Sequence, residues 1–98
     1  MTAQKAPGGI QSIGIVGAGQ MGNGIAHVCA LAGYDVVMTD ISQESLDAAM
    51  ALIGRNLDRQ VSREKVSQAD RDAALDRITT TLTLTDLGRC DLIIEAAT

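Results

Sequence analysis

Aromatic side chains are nearly missing from this chain: it has no Trp and no Phe, and Tyr34 is its single Tyr. A core of large flat rings is excluded, so packing must rest on Ile, Leu, Val, Met and Ala. Cysteine is scarce too. Cys29 and Cys90 have no C-x-x-C or metal-ligand spacing, which argues against a disulfide scaffold or a metal centre; both read as reduced thiols in or near the core. Basic charge is outnumbered, with eight Lys and Arg against twelve Asp and Glu and a formal net charge of −4. The cations form no long block, which argues against nucleic-acid binding through a broad basic face. No apolar run approaches the roughly 18 residues of a membrane-spanning helix. Residues 1–12 lack the charged-then-apolar pattern of a signal peptide. A soluble cytoplasmic protein is the expectation.

What remains is enough for one small domain: 98 residues, 46% of them hydrophobic. Residues 1–11, with the only proline and a Gly-Gly pair, read as a flexible lead. The run SIGIVG at 12–17 reads as a buried strand ending in glycine. From Gln20 to Ala32, apolar residues recur at Met21, Ile25, Val28, Cys29 and Ala32, the spacing of one helix face, with Gly33 as the stop. DVVMT at 35–39 reads as a second strand. Ser42 suits an N-cap, and Leu46, Met50, Ile53 and Leu57 form the stripe of a second helix, with Ala49 beside it. Ser67 to Asp70 resembles a capping box opening a third helix to about Asp76. The segments 78–83 and 91–96 read as two more strands. Short apolar strands alternating with helices predict an α/β fold, a doubly wound parallel sheet. About four strands are present, with a helical pair inserted between the second and third.

The chemistry concentrates at Gly17-Ala18-Gly19-Gln20-Met21-Gly22. A G-x-G-x-x-G turn is weak evidence alone. Here it follows an apolar strand and opens a helix, the context in which it binds a dinucleotide. Gly17 permits the tight turn, Gly19 lets the backbone approach a pyrophosphate, and Gly22 lets the helix pack on the strand. The amides at the helix start then face the phosphates. Ala26 and Gly33 add small residues where helix and sheet meet. Asp40 ends the second strand 18 positions beyond Gly22, where an acid binds the adenosine ribose diol. No Lys or Arg occurs in Ile41-Ser42-Gln43 to neutralise a 2′-phosphate, which predicts NAD over NADP. FAD proteins share the turn, and the loop alone does not separate them. Methyltransferases usually carry an acid just before the first glycine, where this chain has Ile13, Ile15 and Val16.

The stretch GIVGAGQMGNGIAHVCALAGYDVVMTDIS, continued by ITTTLTL and CDLIIEAAT, resembles the start of the 3-hydroxyacyl-CoA dehydrogenase family, including bacterial 3-hydroxybutyryl-CoA dehydrogenases. The resemblance covers nearly everything after residue 11. It implies a partial NAD-binding Rossmann domain over 12–98. It also implies reversible oxidation of the 3-hydroxyl of an acyl-CoA substrate with NAD as cofactor. The family's catalytic His–Glu pair and its assisting Ser and Asn lie beyond this region, as does the helical C-terminal domain that binds substrate and forms the dimer. The resemblance therefore assigns no catalytic residue here, and the 98 residues are expected to be part of a dehydrogenase, without turnover of their own. A free-standing dinucleotide-binding module, or another NAD-dependent β-hydroxyacid dehydrogenase, is the alternative. His27, the only histidine, reads as a packing residue. Glu95 reads as an oriented or partly buried carboxylate near the cofactor edge. The resemblance also offers the backbone of Ala96 as a cofactor contact. Among Arg59, Arg63 and Lys65 on the helical pair, it carries over only Lys65, as a contact for CoA phosphates. A sheet ending at 91–96 is expected to leave an open edge.

Overall fold

The computed structural model describes residues 9–96. In chain order the elements are β1 (Ser12–Val16), α1 (Gln20–Leu31), β2 (Asp35–Thr39), α2 (Gln43–Ser62), α3 (Gln68–Asp76), β3 (Ile78–Thr81) and β4 (Leu92–Glu95). A 3-10 segment, Leu84–Arg89, joins β3 to β4. The strands form one parallel sheet in the order β3-β2-β1-β4. This is the expected α/β sheet.

The strand order dictates the layers. The crossovers β1 to β2 and β2 to β3 step the same way along the sheet, so right-handedness puts α1, α2 and α3 on one face. The crossover to β4 steps back past β1 and must pass over the other face. Side-chain alternation agrees. Ile13 and Ile15 of β1 join Val36 and Met38 of β2 in a buried cluster with Leu46, Ala49, Ile53 and Leu57 of α2. The intervening Gly14 faces Leu87 of the 3-10 segment: a Cβ built there would lie 2.9 Å from the Leu87 Cγ. Glycine at 14 is what lets Leu87 bury itself on that face. Each large aliphatic side chain of the main cluster contributes about 1.5–3 kcal/mol on burial.

The second helix behaves as its stripe predicts, with Leu46, Ile53 and Leu57 buried. Ser42 caps it, its Oγ accepting from the Ser45 amide at 3.2 Å; Ser67 does the same for α3, accepting from the Asp70 amide at 3.0 Å. The first helix does not follow its apolar stripe. Its buried residues are Gly22, Asn23, Ala26 and Ala30, while Met21 and Val28 are exposed and Ile25 and Cys29 half-buried. The reason is distance. The start of α1 lies so close to the β1 turn that only small residues fit between, and the bulky apolar side chains are displaced to the flank.

Other boundaries shift as well. Residues 1–8 of the expected lead lie outside the described residues. Ile10 and Gln11, also assigned to the lead, belong to the fold: Ile10 packs on the core, and the Gln11 carbonyl accepts from the Asp35 amide. The third strand stops at Thr81 rather than 83, because the chain turns into the 3-10 segment, where Thr81 Oγ1 donates to Asp86. At the sheet edge, β4 pairs only with β1 and leaves Leu92 and Ile93 exposed, as the sequence anticipates.

Candidate functional site

The parallel strands end together, and the crossovers diverge to opposite faces on either side of β1. Ligands of open α/β sheets bind at such a switch point. The chain leaves β1 through Gly17, whose φ of +108° suits glycine, and the Gly17 amide donates to the Thr39 carbonyl at 2.8 Å. Gly19 is the N-cap of α1 and has no side chain with which to cap it. The first intrahelical bond runs from the Asn23 amide to the Gly19 carbonyl at 2.9 Å. The amides of Gln20, Met21 and Gly22 therefore precede any intrahelical acceptor. The other two helices have a capping serine and an acid in the first turn, Glu44 and Asp70; α1 has neither. Its positive end is left for an anion from outside.

The three glycines of the turn have distinct jobs. A Cβ on Gly22 would lie 1.7 Å from the Gly17 carbonyl oxygen, so Gly22 exists for packing. A Cβ on Gly19 would meet no protein atom within 4 Å. That leaves the backbone at Gly19 open to close approach from outside, the condition a dinucleotide phosphate requires.

Asp40 is brought onto this turn by the end of β2. Its Oδ2 accepts from the Ala18 amide at 2.8 Å, and its Oδ1 accepts from the Ser42 amide at 3.3 Å. Each oxygen keeps a lone pair for a hydroxyl. A cleft of about 470 Å³ opens between the turn and α2, lined on one side by Ala18, Gly19, Gln20, Asn23 and Asp40. Its other wall is Ser45, Ala48, Ala49 and Leu52. The sequence reading misses that wall and Asn23. The signal is present, because 45, 48, 49 and 52 follow helical spacing with small side chains, but it lies beside the stronger core stripe.

The other sequence-derived positions divide. Gln20 lines the cleft, but the Met21 side chain lies in a separate surface groove with Ile25 and Val28, so Met21 offers the site its amide only. Ala96 is buried at the end of β4 beside the turn, and its amide already donates to the Val16 carbonyl at 2.8 Å. Only its carbonyl is left to offer. Glu95 is exposed rather than partly buried, because β4 is an edge strand. His27 bonds to Gln60 across the α1–α2 contact, Nε2 to Oε1 at 2.7 Å; an amide oxygen can only accept, so Nε2 carries the proton. Its place is in packing. Lys65 is exposed just past the far end of α2, a 20-residue helix and so about 30 Å from Asp40 along its axis. The structure does not bring Lys65 to the cleft. No group of three or more metal-ligating side chains occurs among the described residues, nor does any helix there have the length and apolarity to cross a membrane.

Comparison with known proteins agrees with this geometry. The 3-hydroxybutyryl-CoA dehydrogenase of Bradyrhizobium diazoefficiens is 53% identical over 88 residues, covering 90% of this chain and 30% of that protein. The Mycobacterium tuberculosis protein of the same name is 45% identical over 87 residues, covering 89% of this chain and 30% of its own length. The crystal structure of (S)-3-hydroxybutyryl-CoA dehydrogenase from Ralstonia eutropha superposes with a TM-score of 0.88 at 47% identity, over 91% of this chain and 31% of that one. The chain thus spans under a third of the relatives it matches. The family model for the NAD binding domain of 3-hydroxyacyl-CoA dehydrogenase matches residues 12–98. With the open helix terminus, the accessible Gly19 backbone and Asp40 in place, this chain belongs to the 3-hydroxyacyl-CoA dehydrogenase NAD-binding domain family.

Proposed function

We propose that this chain is the cofactor-holding part of an NAD-dependent dehydrogenase acting on the 3-hydroxyl of an acyl-CoA, with 3-hydroxybutyryl-CoA as the substrate. The observation that carries the reading is the 2.8 Å bond from the Ala18 amide to the Asp40 carboxylate. It joins the ribose acid to the pyrophosphate turn, so one unit addresses the adenosine ribose and the diphosphate together. The nicotinamide, when bound, exchanges a hydride with the substrate's 3-carbon. The chain's own residues do the holding. The amides of Gly19, Gln20, Met21 and Gly22 receive the diphosphate, and Gly17 and Ala18 shape the turn beneath it. Asp40 accepts the ribose hydroxyls and repels a 2′-phosphate. The Ala96 carbonyl flanks the turn from β4. No residue of this chain has the role of a catalytic acid or base.

The likeness to acyl-CoA enzymes extends the proposal. Lys65, far from the cleft, addresses a phosphate of the CoA. The complete enzyme is a cytoplasmic homodimer, with neither nucleic acid nor membrane as partner.

Calorimetric titration tests the reading directly. NAD+ is expected to bind this chain at least about tenfold tighter than NADP+, the effect of one unfavourable charge contact of 1.4 kcal/mol or more. Asp40→Ala should remove that preference. Equal or tighter NADP+ binding by the wild-type chain would show that Asp40 does not hold the ribose. Acetoacetyl-CoA reduction by NADH, assayed on a longer chain continuing past Thr98, tests the substrate.

A further inference from the structure

Asn23 is a costly residue for its position. It stands in the first turn of α1, 8% exposed, at a contact otherwise made by Gly22, Ala26 and Ala30. Asn is a poorer helix former than Ala. The fold itself does not require its amide group. The Nδ2 donates to the Gly19 carbonyl at 3.0 Å, but that carbonyl already accepts the Asn23 backbone amide at 2.9 Å. Removing the side chain would leave no buried group unsatisfied. Nor would it seal a void, because Asn23 lines the open cleft beside Asp40 and Gly19.

We propose that Asn23 is a positioning residue for the cofactor: its side-chain amide clamps the Gly19–Gln20 peptide, through the Gly19 carbonyl, so that the Gln20 amide stays aimed at the diphosphate. The inference deepens the cofactor reading above and rests on it. Gly19 is where a clamp has most effect. It is the N-cap, it has no side chain to restrict it, and a Cβ there would touch nothing; its carbonyl is held by the Asn23 backbone amide and, beside it, by the Asn23 side chain. The neighbouring Ala18 amide is fixed by Asp40. The Asn23 side chain supplies the matching restraint one residue later. Together they hold both edges of the turn before ligand arrives, which lowers the ordering cost of binding.

The test is calorimetric titration of NAD+ and of ADP-ribose into the wild-type chain, Asn23→Ala and Asn23→Ser. Thermal melts and 15N–1H spectra resolving Gly19 and Gln20 accompany it. Serine is the rescue variant, since its hydroxyl can donate to the carbonyl four residues back. Asn23→Ala is expected to melt as the wild type does and to bind both ligands about tenfold more weakly, the scale of one net hydrogen bond. A broadened Gln20 amide signal should accompany the loss. Asn23→Ser should recover most of the affinity. Unchanged affinity in Asn23→Ala overturns the proposal. So does a serine variant as weak as alanine, or a loss of affinity that merely tracks a loss of melting temperature. A wild-type chain that binds neither ligand overturns the cofactor reading, and this inference with it.

Discussion

At the scale of single residues, the second and third glycines of the phosphate turn separate folding from binding. Gly22 has the Gly17 carbonyl where a Cβ would go, and both partners are backbone. Gly22→Ala must therefore push α1 off the sheet. A loss of about 3 kcal/mol or more in urea unfolding is expected, the upper range for overpacking. Gly19 has a φ of −71°, allowed for any residue, and open space around it. Gly19→Ala should leave stability within about 0.5 kcal/mol, as surface changes do, and weaken NAD binding by tenfold or more. Titration and unfolding of the same two variants check both halves. The placement of the turn, and of Asp40 at the end of β2, was legible in sequence because both depend on residue type at fixed spacing. Asn23 was not, because only the folded turn shows which carbonyl its amide reaches. The cysteines were legible as thiols in or near the core; both are half-buried, and that partial burial pushes both above the ordinary thiol range, with the Asp91 charge adding at Cys90. A raised folded pKa means their stabilising effect is intact below the unfolded thiol value of about 8.5 and declines as pH rises past it. Alkylation at pH 8 should be slower in the native chain than in urea, and equal rates would contradict the burial.

At the scale of elements, two helices end in the same motif with different residues. After α1, the Tyr34 amide donates to the Cys29 carbonyl and the Gly33 amide to that of Ala30; after α2, Lys65 donates to Gln60 and Glu64 to Val61. Both pairs are the crossed bonds of a Schellman cap, which needs a left-handed residue. The first helix uses Gly33 at φ +104°, beyond the range side chains tolerate; the second uses Glu64 at φ +59°. Gly33→Ala should cost about 1–2 kcal/mol, while Glu64→Gly should stabilise by about 0.5–1 kcal/mol. Chemical denaturation of the pair gives opposite signs if the motif governs both ends. The Gly33 stop is visible in sequence, whereas Glu64 carries no turn signal and is held left-handed by the chain's need to reverse into α3. Arg77 adds a tertiary element here. Its Nη1 donates to the Ala30 carbonyl at 2.8 Å, placing a cation at the negative end of α1.

At the scale of the whole molecule, ligand and fold are coupled. Anything that binds only the folded chain stabilises it by mass action, about 2.7 kcal/mol at a hundred times the dissociation constant. For a domain of this size that raises the melting temperature by roughly 10 °C or more. Saturating NAD+ should produce such a shift in a thermal melt, and NADP+ at equal concentration a smaller one. An absent shift with NAD+ would mean the cleft is not its site. Among the described residues β4 is an edge strand, with Leu92 and Ile93 exposed on it.

The sequence by itself determined the four strands, the three helices, the parallel sheet and the dinucleotide turn. These follow from local periodicity, capping residues and glycine spacing, none of which needs a distant partner. Tertiary structure decided which face of α1 is buried, because close approach of its start to the β1 turn selects small residues over apolar ones. It put Leu87 on the far face, because the return crossover is right-handed. It also brought Asp40 to the Ala18 amide and α2 across from the turn, since those contacts join segments twenty or more residues apart. The glycine turn was written in six consecutive residues, but the cleft beside it exists only after β1, β2 and α2 have packed.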